Sequence, residues 1–258
     1  MTAIATPAGE RRGLRGLVFR LAAGLFAALL LAVHGAGLLA PWSDPSGYVG
    51  LVGRAAAERW HDAQSGALAV VLVAGSLLAL LWRPRAQPLL LQFVALVALA
   101  LAVVGAPLGL ALVGAPAALC LATYPAPREL LWLARPRAWS RPMLALSLLA
   151  AALLVPEAWR ALRLQAAGAD GHAASGHWSI AALLALALAL AGALAATRRP
   201  GWQSLGVLTG AALIYLGLVA VMLPEQAGSW GSTGGALATI GGWAFVGITL
   251  LEARRERS

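Results

Sequence analysis

The feature that most constrains this chain is a pattern that occurs twice. At His61 the sequence reads His-Asp-Ala-Gln-Ser-Gly, continues from Ala67 to Trp82 without a charge, and closes on Arg83-Pro84-Arg85. His177 opens a second uncharged run through Ala196, closed by Arg198-Arg199-Pro200. In both copies 23 positions separate His from Pro, and a Gln follows three residues later, Gln87 in one and Gln203 in the other. An α-helix rises about 1.5 Å per residue and the hydrocarbon core of a bilayer is about 30 Å thick. Apolar stretches of this length, charged only at their ends, are therefore read as transmembrane helices.

Composition excludes the alternatives. Of 258 residues, 60% are hydrophobic and only 11% charged, less than half the charged share of an ordinary soluble domain. The formal charge of +9 is carried as short clusters between apolar runs rather than on one wetted face, so nucleic acid is not an expected partner. All 19 basic residues are Arg, which excludes a lysine Schiff base, and the single Cys120 excludes a disulfide framework or a CxxC redox motif.

The expected fold class is an all-α polytopic membrane bundle of about eight transmembrane helices forming a single domain over residues 1–258. The spans are expected near residues 17–40, 62–82, 88–104, 108–124, 142–155, 177–197, 205–223 and 235–251. Two amphipathic surface segments, 48–60 and 156–165, and a cytoplasmic loop, 125–141, connect them. Placing the N-terminus in the cytoplasm puts 15 of the 19 Arg on inner segments, in accord with the positive-inside rule. Both termini are then cytoplasmic, and the expected location is the plasma (inner) membrane. Nine of the ten Trp fall at expected span ends, as in an interfacial aromatic belt, with Trp243 the exception. The doubled His-to-Pro pattern suggests two parallel four-helix repeats, 16–124 and 142–251, related by an axis along the membrane normal.

Chemistry is sparse. No carboxylate lies deep in an expected span, which argues against a carrier built on an intramembrane acid, and no HExxH, Walker or GxSxG motif is present. What remains is histidine. In the expected topology His34, His61, His172 and His177 all lie toward the outer face. Imidazole ligates haem iron, copper and zinc. His61 and His177, with His34, form the candidate cofactor-binding set, and His172 with His177 the candidate metal pair; Asp44, Glu58, Asp62, Glu157 and Asp170 are the carboxylates placed to orient them. A histidine at a helix end is more commonly an interfacial or capping residue. The scarcity of intramembrane polar groups accordingly favours a non-catalytic scaffold or accessory subunit of an envelope complex, with the bilayer and a membrane protein as partners. The competing readings are a carrier for an apolar or lipid-like molecule and a haem or copper protein using the outward histidines.

Overall fold

The computed structural model describes residues 8–43, 56–104, 113–131 and 139–256. Lipid offers a backbone no hydrogen-bond partner, so apolar runs of this length must satisfy their amides internally, as helices. They do so in α1 (Ala8–Leu39), α2 (Arg59–Trp82), α3 (Pro88–Val104), α4 (Ala115–Thr123), α5 (Pro127–Leu131), α6 (Arg141–Ala167), α7 (Gly171–Ala174), α8 (His177–Ala196), α9 (Trp202–Met222) and α10 (Gly231–Arg255). No strand occurs among the described residues. The protein is an all-α, multi-pass membrane bundle.

Six helices, α1, α2, α6, α8, α9 and α10, are long and apolar enough to cross a membrane. The expected third and fourth spans correspond to α3, of 17 residues, and α4, of 9, with residues 105–112 outside those described. Seventeen residues rise only about 25 Å, short of the hydrocarbon thickness. The described residues therefore supply six full-length spans where eight were expected. The surface segment expected at 48–60 falls largely outside the described residues; its last part is a 3-10 turn, Ala56–Glu58, leading directly into α2. The segment expected at 156–165 is not separate either. α6 runs through Pro156 to Ala167, because one missing amide donor leaves the flanking turns intact. Ser140 caps its start by accepting from the Met143 amide, and Gly168 ends it at φ 61°.

Two helices organise the interior. α8 is flanked by α6, α9 and α3, while α2 packs between α1 and α9. The first turns of α2 touch α8. Their far ends also interlock: the Leu89 amide donates to the Pro200 carbonyl (3.3 Å), and the Ser204 hydroxyl donates to Gln87 Oε1 (2.7 Å). α2 and α8 thus run in the same direction, each from its histidine to its Arg-Pro turn. α9 and α10 form the most closely packed pair, and small residues explain why. A Cβ at Gly210 would come within 2.7 Å of the Gly242 carbonyl oxygen, and one at Gly217 within 2.5 Å of that of Gly235. Such close backbone approach is the usual basis of helix association in lipid, where burying apolar area gains little. The outward faces of α6 and α10 leave Leu148, Leu149, Leu153, Leu237 and Ile240 exposed, as lipid contact requires. Three of the tryptophans expected in the interfacial belt, Trp60, Trp178 and Trp202, are instead buried, while Trp42, Trp82, Trp139 and Trp159 are exposed.

Candidate functional site: a histidine cluster where α2 meets α8

The parallel packing of α2 and α8 brings their first turns together, and with them His61 and His177. His61 is 1% exposed, far from the water or headgroup contact an interfacial role needs. The imidazoles of His61 and His177 stack with centroids 4.8 Å apart and planes 16° from parallel. His172 joins them from α7, its ring centroid 4.7 Å from that of His61 and 5.8 Å from that of His177.

The chain between α6 and α8 is folded to deliver His172. Asp170 accepts from the Ala173 amide (2.7 Å), capping the single turn of α7, and also from the Trp178 indole (3.1 Å). Its carboxyl is held below the ordinary carboxylate range chiefly by that amide, with further help from the Trp178 N–H and the neighbouring His172 and His61. Gln165, near the end of α6, donates to the Ala173 carbonyl (2.8 Å) and accepts from the Ser179 amide (3.2 Å), tying the turn to α8. Gly176, at φ 73°, makes the left-handed step that starts α8.

Nδ1 of each imidazole lies beside an oxygen, and those of His172 and His177 also lie 3.5 Å from each other. His61 Nδ1 lies 3.2 Å from Gln64 Oε1, one turn along the same helix face. The amide oxygen can only accept, so this contact makes Nδ1 the protonated nitrogen and leaves the lone pair on Nε2. His177 Nδ1 lies 2.7 Å from Glu58 Oε2, and His172 Nδ1 lies 3.4 Å from the same oxygen. His61 Nε2 is buried and has no hydrogen-bond partner among the described residues. One nitrogen from each of His61, His172 and His177 can be chosen so that all three lie within 4.8 Å of one another. Trp178 meets both His61 and His172 edge-on. The segment after α9 covers the cluster. Gly228, at φ 77°, leaves no room for a Cβ, which would sit 2.8 Å from the Trp178 ring and 3.5 Å from the His61 ring. Gln226 accepts from the Trp60 amide (2.8 Å), and Trp230 packs edge-on against Trp60.

Of the sequence candidates, the structure gathers His61, His172 and His177 and places Glu58 against two of them. His34 lies half-buried on α1, outside this group, with interactions of its own. Among the other carboxylates, Asp170 orients the turn and Glu157 pairs with Arg160 on the surface of α6 (2.7 Å). Asp62 is buried beside His61 in sequence but is not one of the clustered groups, and Asp44 lies outside the described residues. Sequence reasoning missed Gln64 and Gly228. The His61–Gln64 spacing of three was a usable signal; nothing in the sequence pointed to Gly228. No protein-family model matches the chain, and no curated protein or solved structure is similar to it.

Proposed function

We propose that this membrane protein binds a single first-row transition-metal ion through His61, His172 and His177, and that it handles the metal as a binding or accessory protein of the envelope rather than as an enzyme. The observation that carries this reading is the gathering of three imidazoles, one nitrogen from each within 4.8 Å of the others, with the buried His61 Nε2 unpartnered among the described residues. Metal-ligating histidines characteristically donate their other ring N–H to a carboxylate or carbonyl oxygen; here Gln64 Oε1 is placed to accept from His61 Nδ1, which leaves His61 Nε2 as a ligand atom, while Glu58 Oε2 lies beside the Nδ1 atoms of His177 and His172. An unpartnered buried nitrogen such as His61 Nε2 costs about 1–3 kcal/mol, a cost that coordination offsets. Three imidazoles with a fourth position open to water or to Glu58 suit zinc or copper(II); copper(I) would draw thiolate or thioether ligands, and Cys120 is buried elsewhere, in α4.

The same geometry weighs against haem. His61 and His177 stack nearly parallel at 4.8 Å, which leaves no space for a macrocycle between them. If the Arg-rich turns are cytoplasmic, as the positive-inside rule favours, the cluster opens to the outer side of the plasma (inner) membrane, where it meets metal before the cytosol does. The recurrence of His at the start and Arg-Pro at the end of two parallel helices also keeps an internal duplication as the simplest origin of the site.

The test is metal titration of the protein purified in detergent after chelation. Zinc or copper(II) should bind at one ion per chain with micromolar or tighter affinity, and His61→Ala and His177→Ala should lose that binding while keeping their helical circular dichroism. Wild-type protein that holds no more metal than His61→Ala overturns the reading, as does a Soret band in the protein as isolated.

A further inference from the structure

At the opposite end of α2 and α8 from the histidines, the structure carries a concavity lined by both charged and apolar residues. It has a volume of about 350 Å³ and lies where the turns after the two helices meet, between Arg85, Arg128, Glu129 and Arg199 on its polar side and Pro88, Leu89 and Pro200 on its apolar side. We propose that this concavity binds the phosphate of an anionic phospholipid.

Three features carry the inference. The first is charge: three guanidiniums and one carboxylate line the concavity, leaving a net charge of +2 where a solvated surface usually mixes signs evenly. The planar fork of Arg matches phosphate oxygens two at a time, and Arg stays protonated under all ordinary conditions. The second is construction. Arg199 is buried, and burial alone lowers its pKa, so the fold holds a cation where solvation is poor and an anion is worth most. The frame around it is tied by the Leu89 amide to the Pro200 carbonyl and by Ser204 to Gln87. Gly201, at φ 101°, completes that turn, since a Cβ there would press within 3.2 Å of Gln87 Cα.

The third is depth. Arg85 and Arg199 follow directly on spans ending at Trp82 and Ala196, which sets the guanidiniums at the level of lipid headgroups. Pro200, the exposed apolar residue of the concavity, would form a wall that meets the glycerol and the start of the acyl chains. A free phosphate ion needs the guanidiniums but has no use for that apolar wall, so an intact phospholipid is the better fit. Neither Arg85, Arg128 nor Arg199 takes part in the metal site, so the two proposals stand or fall separately.

The experiment is lipid exchange on the full-length, delipidated protein. Native mass spectrometry in neutral detergent with phosphatidylglycerol or phosphatidylcholine added should show selective retention of the former, together with a raised melting temperature. In Arg85→Gln/Arg128→Gln, at two exposed positions, retention should fall about 30-fold, from roughly fivefold per guanidinium at a membrane surface. Arg128→Gln alone should show the smaller step. Helical circular dichroism of these variants in detergent should match wild type and certifies the fold. Equal retention of the two lipids, undiminished retention of phosphatidylglycerol by the double variant, or stabilisation by inorganic phosphate alone overturns the proposal.

Discussion

The two ends of the α2–α8 pair are built from the same sequence pattern and yet differ in kind. At the histidine end polar groups converge: the rings of His61, His172 and His177 form one cluster, with Gln64 Oε1 beside His61 Nδ1 and Glu58 Oε2 beside the Nδ1 atoms of the other two. At the arginine end they divide between a concavity and the open surface. Arg85 and the buried Arg199 line the concavity, whereas Trp82 is 88% exposed, Arg83 faces outward, and Arg198 is drawn away to the side, its Nη2 2.9 Å from Glu256 and its guanidinium over the Trp202 ring. Glu252, between them, also accepts from the Ser140 hydroxyl (2.8 Å) and so fastens α10 to the start of α6. Charges at the arginine end can be satisfied by water, by headgroups or by one another. Those at the histidine end are satisfied only by their fixed partners, so their loss is expected to have larger consequences.

The sharpest way to break this comparison is Glu58→Gln. An amide keeps the size of the carboxylate but offers His177 and His172 a weaker acceptor and adds donors of its own. Loss of an orienting partner typically weakens metal binding about 10–100-fold, and a loss of that order is expected here with the fold intact. Isothermal titration of the variant against wild type measures it. An unchanged affinity would mean that Glu58 is only an apo-state ion-pair partner, and the histidine end would then resemble the arginine end more than its geometry implies.

The membrane helices were legible because an uncharged run of some twenty residues has few other stable fates. Six such runs became full spans where the sequence read them, although α6 continued past its expected exit at Pro156. The site was legible in part. The equal spacing of His61 and His177 from their Arg-Pro turns foreshadowed parallel helices, and parallel helices bring their starting residues to one level. Periodicity could not show which way each helix is turned about its axis. That rotation separates His34 from the cluster, and it buries Trp60, Trp178 and Trp202 against neighbours instead of leaving them in a belt. Gly228 was invisible for a related reason: its role arises only when the segment after α9 closes over rings nearly 50 residues or more away in sequence.

A smaller effect separates the ends by pH. Asp170 holds His172 in place by capping α7, and its carboxyl titrates below the ordinary carboxylate value of about 3.9. A depressed folded-state pKa means that the charged carboxylate stabilises the fold above the unfolded value, and that this contribution fades as pH falls toward the folded one. Metal-free Asp170→Asn should therefore melt below wild type from pH 5 to pH 7, and the difference should begin to narrow as pH falls below the ordinary carboxylate value of about 3.9. A gap that does not narrow at all on acidification would assign the effect to lost shape rather than lost charge.

The smallest change is expected from Arg198→Gln. This residue sits at φ 52°, a left-handed conformation that costs Gln about as much as Arg, so the substitution tests the side chain's partners rather than the backbone. Its bridge to Glu256 joins partly exposed groups, Glu252 keeps its hydrogen bond from Ser140, and salt screens what remains. The loss should stay within about 1 kcal/mol and shrink further at high ionic strength, as read from denaturant or thermal melts at two salt concentrations. Metal affinity should be untouched, because the perturbation lies a full span away from His61. A measurable fall in metal binding on Arg198→Gln would instead reveal that the two ends of α2 and α8 are mechanically coupled, and the π-helical segment Ala67–Ala74 in α2, where the backbone departs from regular α-helical pairing, would be the first place to look for the element that carries the coupling.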